Sequence, residues 1–479
     1  LTELLKLSAC EVVDALKRRD IKPSEILIDL EYRHNYIDRL VNALPTTFFD
    51  RALNLAWDLE NKSSKKFRNS RQPLNGLPVP IKDSYRVAGV RTTFGSKVYE
   101  FYVPETSDII VKTIEDSGGI IFAKSNTPEF EAGANTFNEV FGYTRNPIDL
   151  SRSVGGSSGG AAAAVASGMA YIAQGSDFAC SLRFPASFCG IIGLRPTPGL
   201  VPQGPTKMPF QALSVLGPLG RSVADVGLAL DAFTGFDHRD PLSNPQRKKP
   251  NYRLAAEQPI PFFEFAFSED LGISKVSCEV KQAVSSAINT IERNGCKVKF
   301  EYPNLEGSSI VFDALRAFQF ATLWGEITAE NKLKLKPEVL WNIDRGLKLD
   351  VIDLISAERK RSEIRLRMIE FLEDHKFLIT PTAPVIPPHL EERYVKSIEG
   401  TKFDTYIDWL TLGYAISLTG CPSISIPCGV SENNLPIGMQ IIAAPNKETE
   451  LLQFSAWLES IFALGFDKPV QNLDKENIV

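Results

Sequence analysis

The stretch RSVGGSSGGAAAAVASGMAYIAQGSD, Arg152–Asp177, has no charged side chain between its two ends and sets two adjacent serines inside paired glycines. How it is read decides the fold. A membrane span is excluded by composition, because Gly, Ala and Ser dominate and the glycines at both ends and at Gly168 interrupt any apolar helix of about twenty residues. A phosphate cradle at a helix N-terminus is the second reading, but no Gly-Lys-Ser/Thr follows, so the Walker pattern is absent. In the third, Gly156-Ser157-Ser158-Gly159-Gly160 satisfies G-x-S-x-G, the nucleophile elbow, with Ser158 as nucleophile. In the fourth, a loop feeds a buried Ala-rich helix and holds a serine in a tight backbone site.

The surrounding composition narrows the function classes. With 479 residues, 43% of them hydrophobic and 23% charged, the chain reads as a soluble globular protein with enough apolar surface for a large core. Its 53 basic and 58 acidic residues give a net charge of −5 without a long basic run, so nucleic acid is not an expected partner. No secretory or transmembrane segment is visible, and a cytoplasmic location without membrane association is expected. The seven cysteines lack C-x-x-C spacing and read as reduced thiols without structural zinc.

Residues 1–60 alternate apolar and charged positions at helical spacing, which predicts two or three amphipathic helices. KSSKKFRNSRQ, starting at Lys62, reads as a solvated surface loop. GLPVPIKDSYRVAG and GGIIFAKSN read as short buried strands, the second preceded by the helix DIIVKTIEDS. Ala161 to Ala170 is expected to be a close-packed helix, with strands in YIAQGSD and CGIIGLRPT. The polar, Pro-rich run from Pro241 to Pro261 is a candidate linker or excursion. Residues 310–375 return to helix, and FLITPTAPVIPP, CPSISIPCGV and LPIGMQIIA to strand. Strands contributed early, in the middle and late predict one sheet closed by distant segments. The expected fold is α/β, a single large domain with a mixed, twisted central β-sheet covered by helices on both faces. Its parts are an N-terminal helical segment over 1–65, a core over 76–235, a polar excursion and helices over the active site over 236–375, and closing strands and a helix over 376–479.

Histidine is scarce: His34, His238, His375 and His389 are the full set. An elbow serine needs a downstream acid and histidine, yet His238 sits in what reads as a surface turn and His375 and His389 flank an apolar strand at its termini. Metal-ligating spacing such as H-E-x-x-H is absent. Serine and lysine offer another route. A lysine inside an apolar strand is disfavoured as an ammonium by desolvation, so it can serve as a general base near neutral pH. Lys82 in VPIKDS has that setting, and Lys124 in FAKSN is its rival.

The order of segments is itself informative. LNGLPVPIKDSYRVAGVRTTFGS, GGIIFAKSNTPEFEAGANTFNEVFGYTRNPID, SVGGSSGGAAAAVASG, GSDFACSLRFPASFCGIIGLRPTPGLVP and GPLGRSVADVGLALDAFTG resemble consecutive blocks of the amidase signature family. The late pieces FLITPTAP and TGCPSISIPCGVSENNLPIGMQIIA resemble its C-terminal strands. The resemblance implies an amide hydrolase with a Ser, cis-Ser, Lys triad: Lys82 on the family's lysine, Ser157 on the bridging serine preceded by a cis peptide bond, and Ser181 on the nucleophile. It further implies an oxyanion hole from the backbone N–H groups of Phe178, Ala179, Cys180 and Ser181, with Ser158 as a supporting residue. Asp177 and Arg183 are expected to brace that loop by hydrogen bonds. The implied substrate is a small-molecule amide, with no cofactor, no metal and a homodimer as the expected assembly.

Ala179-Cys180 departs from the family's usual Gly-Gly, and Phe178 stands where a smaller residue is usual. Two further functions stay open. One is the amidase subunit of a glutamyl-tRNA amidotransferase, from which GLRPTPGLVPQGP departs; the other is a catalytically silent amidase-like binding module. A cyclic or linear oligoamide hydrolase is a subgroup of the main reading.

Overall fold

Apolar runs bounded by Gly and Pro become strands in the computed structural model, which describes residues 2–61, 72–243, 250–327, 329–466, 468–470 and 473. In chain order these are β1 (Thr46–Thr47), β2 (Pro78–Lys82), β3 (Ile120–Ser125), β4 (Phe137–Asn138), β5 (Gly142–Tyr143), β6 (Ile172–Asp177), β7 (Ile192–Arg195) and β8 (Val215–Gly220). They continue with β9 (Glu264–Phe267), β10 (Lys297–Lys299), β11 (Phe377–Pro381), β12 (Ser397–Ile398), β13 (Thr401–Lys402), β14 (Ser423–Val430) and β15 (Pro436–Ala443). The main sheet is eight-stranded in the order β10-β9-β11-β15-β14-β7-β8-β6. It is mixed, with β9 parallel to β10 and β11 and the other pairs antiparallel. Helices flank it: Arg183–Cys189 lies against β7, β14 and β15 on one face, while Cys278–Arg293 and Glu448–Phe462 cover the other. This is the α/β, single-domain architecture expected from the sequence.

The sheet is not continuous with the early strands. β1, β3 and β2 form a separate three-stranded sheet. β2 lies beside β6, where the Lys82 backbone N–H donates to the Gln174 side chain at 3.1 Å. A side-chain amide thus stands where a ladder bond would join two sheets into one. The segment 236–375 is also more than an excursion of helices, since β9 and β10 come from it.

The N-terminal segment forms the helices Glu3–Lys6, Ala9–Arg18, Pro23–Val41 and Phe49–Asn61. Of the basic stretch after it, Lys62 to Arg71 lies outside the described residues. The Pro-rich run contains a helix, Tyr252–Ala256, that the sequence reading missed because polar and Pro-rich flanks hide a five-residue element. It is anchored, not linking: the Tyr252 and Arg253 N–H groups donate to Asp231 at 2.8 and 3.0 Å, and Arg253 binds both oxygens of Asp14.

The Ala-rich helix runs Gly159–Ala166, with all eight residues buried. It ends before Ala170 because Gly168 adopts φ +76°, a left-handed turn that closes the helix. Its start requires glycine: a Cβ at Gly159 would lie 2.3 Å from Thr136 Oγ1, and one at Gly160 would lie 2.3 Å from the Asn126 backbone nitrogen. Small residues let this helix sink into the core and fix the serines that precede it.

Candidate active site

Lys82 ends β2 with no solvent exposure. Its ammonium nitrogen donates to Ser157 Oγ at 2.6 Å and to Ser176 Oγ at 2.9 Å, and lies 2.6 Å from Glu131 Oε1. Burial pulls the Lys82 pKa below the usual lysine value, while the Glu131 carboxylate works in the opposite direction. Lys124, the rival lysine, faces another network: Asp83 Oδ1 at 3.0 Å, the Tyr85 carbonyl at 2.8 Å and Thr92 Oγ1 at 2.9 Å take all three of its donors. Lys124 pins the turn after β2, and Lys82 points at the serines.

The peptide bond between Gly156 and Ser157 is cis. Ser158, one residue on, is committed to backbone. Its N–H donates to the Ser181 carbonyl at 3.2 Å, and its hydroxyl accepts from Ser176 N and donates to Ser176 O at 3.2 and 3.1 Å. These bonds tie the glycine-serine loop to β6 and to the segment carrying Ser181. They also leave the Ser158 hydroxyl occupied, which argues against the elbow.

Phe178 to Ser181 turns from the end of β6 into the helix Arg183–Cys189. Asp177 Oδ2 accepts from Leu182 N and Arg183 Nε, both at 3.1 Å, and Oδ1 accepts from Arg183 Nη2 at 3.0 Å and Arg195 Nη1 at 3.2 Å. Arg183 Nη2 also donates to the Ala179 carbonyl at 2.7 Å, and Nη1 to Gln440 at 2.8 Å. Burial alone would raise the Asp177 pKa, but the two guanidiniums outweigh it and hold the carboxyl down at about 2.

The non-glycine residues at 179 and 180 cost no backbone strain, since neither adopts a positive φ. Room for the Cys180 side chain comes from Gly413, where a Cβ would lie 2.4 Å from Cys180 Cβ. Burial, reinforced by Asp177, pushes the Cys180 thiol far above the usual range, so it does not offer a thiolate. Cys180→Ala changes only the side chain and leaves the backbone N–H in place, so turnover is expected to stay within about tenfold of wild type, whereas losing a hydrogen-bond donor to a developing oxyanion costs about 10²–10³. Steady-state kinetics on one amide decides between them.

The family model described as Amidase matches residues 29–452. The chain belongs to the amidase family. Its relatives include an acylamidase of Rhodococcus erythropolis, 30% identical over 470 residues and covering 98% of each chain. A glutamyl-tRNA(Gln) amidotransferase subunit of Moorella thermoacetica is 32% identical over 477 residues, covering 94% of this chain and 96% of that one. Among solved structures, a bacterial aryl acylamidase of the amidase signature family superposes with a TM-score of 0.90 at 24% identity, covering 98% of this chain and 99% of that one. A 6-aminohexanoate cyclic dimer hydrolase superposes at 0.86 and 24% identity, with 98% and 100% coverage. As an amidase, the chain is a hydrolase of carboxamide C–N bonds.

Within this amidase none of the four histidines hydrogen-bonds Ser157 or Ser181 among the described residues. His34 bonds Asp38, His375 meets Glu301 at 3.2 Å, and His238 and His389 are exposed. No described helix is long and apolar enough to cross a membrane. Two site residues escaped the sequence reading. Ser176 had a signal, because Gln174 and Ser176 alternate along β6 and both face Lys82. Glu131 had none: it sits at φ +61°, after Phe130 at φ +47°, a conformation that sequence patterns assign to glycine or asparagine. It lines a cavity of about 360 Å³ walled by Tyr85, Phe94, Tyr99, Phe130 and Trp324.

Proposed function

We propose that this amidase forms an acyl-enzyme on Ser181, with Ser157 relaying the proton and Lys82 as the base. The contact that carries the reading is the 2.6 Å bond from Lys82 Nζ to Ser157 Oγ at the cis peptide. Neutral Lys82 accepts the Ser157 proton while Ser157 accepts that of Ser181, and Ser181 Oγ bonds to the amide carbonyl carbon. The oxyanion is held by the N–H groups of Phe178, Ala179, Cys180 and Ser181. The relay then returns the proton to the departing nitrogen as the C–N bond breaks. Water, deprotonated by the same relay, displaces Ser181 and yields a carboxylic acid. Covalent labelling by a fluorophosphonate, read by intact mass and peptide mapping, tests the reading. A single adduct on Ser181, absent from Ser181→Ala, supports it, and an unlabelled enzyme inert on every amide supports the silent module.

The aromatic cavity beside Glu131 supports a substrate that carries apolar or aryl surface next to its amide, in keeping with the Rhodococcus acylamidase relative. Glutamine belongs in the same substrate panel, because amidotransferase subunits are equally similar relatives; strong ammonia release from glutamine with a copurifying partner would favour that role.

The Lys82–Glu131 pair predicts a pH signature. Lys82 must be neutral to act as base, so kcat/KM falls on the acid side as Lys82 gains a proton. Glu131 and Asp177 both hold its pKa up against the lowering by burial, and the buried Cys180 thiol faces it as well. Glu131→Gln removes the closest negative charge, so the acid limb is expected to move to lower pH by about 1–3 units. A pH–rate profile with an unmoved limb would mean that Glu131 does not set the protonation of Lys82.

A further inference from the structure

Arg316, in the helix Ser308–Trp324, is 4% exposed and has no carboxylate within ion-pair distance among the described residues. Its charge is met by aromatic surfaces: the guanidinium carbon lies 4.9 Å from the Phe320 ring centroid, 5.5 Å from Tyr406, 5.6 Å from Phe178 and 5.9 Å from Phe312. Its hydrogen bonds go to one phenol, Nε and Nη2 reaching Tyr406 Oη at 3.1 and 2.8 Å. That oxygen also accepts from Asn342 Nδ2 at 2.6 Å, so it is saturated as an acceptor. Nη1 and its two protons have no acceptor among the described residues.

The other buried guanidiniums of the site are treated differently, since Arg183 and Arg195 share Asp177. Acids of the neighbouring segment are engaged elsewhere. Glu338 holds Arg393 through both oxygens at 3.0 and 2.7 Å, and Glu129 accepts from Ser96 at 2.6 Å and from the Lys336 backbone at 2.8 Å. Lys336 adds a further, half-buried cation nearby, its pKa lowered first by burial and in smaller part by Arg393 and Arg316. A desolvated guanidinium without an anion is costly, and aromatic faces offset only part of that cost.

Place decides which anion this cation can meet. Phe320, against Arg316 on one side, lines the cavity that also contains Glu131, and Phe178, against it on another, begins the loop that ends at Ser181. The cation therefore stands between the cavity wall and the oxyanion loop. We propose that Arg316 is a specificity-determining residue that binds a carboxylate of the substrate, so that the preferred amides are monoanionic, with the carboxylate a short chain from the scissile bond. This rests on the amidase reading above for where the amide lies.

The test compares succinamate, glutaramate and adipamate with the neutral diamides succinamide, glutaramide and adipamide. Each is titrated calorimetrically into the full chain carrying Ser181→Ala, which keeps binding separate from turnover. In at least one pair the monoanion is expected to bind about 10- to 100-fold more tightly, the range for a hydrogen bond to a charged group. Arg316→Gln added to that background should bring the ratio near one while the neutral member binds as before, and Arg316→Lys should keep part of the preference. Equal or tighter binding of the neutral member in every pair overturns the proposal, even if Arg316→Gln does not fold. A preference that survives Arg316→Gln overturns it as well. Failure of the amidase reading shows separately, as a wild-type enzyme that the fluorophosphonate leaves unlabelled.

Discussion

Ser181→Ala is expected to abolish amide turnover, by about 10⁴- to 10⁶-fold, the loss seen when a nucleophile is removed from a relay that acts as a unit. The fold should survive, because the Ser181 carbonyl, not its hydroxyl, bonds the Ser158 N–H. Lys82 requires a different substitution for an equal test. Lys82→Ala would leave a cavity at a fully buried position and strip Glu131 of its cation, confounding chemistry with stability. Lys82→Met keeps the volume, and paired with Glu131→Gln it leaves no uncompensated charge. That double variant should be as inactive as Ser181→Ala while retaining native near-ultraviolet circular dichroism. Ser158→Ala is the discriminating control. It removes two hydrogen bonds to Ser176 backbone, at a cost of about 1 kcal/mol each, and should leave turnover largely intact. The elbow reading would be restored by the reverse pattern, an inert Ser158→Ala beside an active Ser181→Ala, measured by kcat on the same amide.

What was legible from sequence follows from how local each constraint is. Ser157 sits in a short motif whose small neighbours are needed for close backbone approach, as the 2.3 Å contacts awaiting a Cβ at Gly159 and Gly160 show. Such requirements leave a mark in the string. The alternation of Gln174 and Ser176 left a weaker mark, visible only once β6 is set beside β2. Arg316 left none: nothing within its own helix distinguishes it, and its role comes from Phe178, 138 positions earlier, and Tyr406, 90 positions later. The split of β1, β2 and β3 from the main sheet was equally hidden, because Val79 and Ile81 are as buried as core-sheet residues. The Lys82 backbone N–H, donating to the Gln174 side chain where a ladder bond would otherwise form, marks the boundary.

Asp177 carries the largest expected effect on stability. Asp177→Asn removes the only charge on a carboxylate that faces two fully buried guanidiniums, and breaking a buried pair in this one-sided way costs about 3–5 kcal/mol. The same change loosens the bond to Leu182 N, which helps fix the Phe178 to Ser181 turn, so kcat should fall with stability. The sign of the pH effect follows from the depressed pKa. With the folded carboxyl near 2 and an unfolded value of about 3.9, the charge stabilises the protein fully above the unfolded value and is lost as pH falls through 2. The contribution is about 2–3 kcal/mol, and the wild type should lose it between about pH 4 and pH 2, whereas Asp177→Asn should lack this part of the acid transition. Denaturant unfolding at pH 7 and at pH 3, followed by fluorescence for both proteins, reads the difference. The gap between them should narrow toward the lower pH. An equal gap at both values would mean that Asp177 stabilises the turn by shape and hydrogen bonding alone, and that the charge on Arg183 and Arg195 is balanced elsewhere.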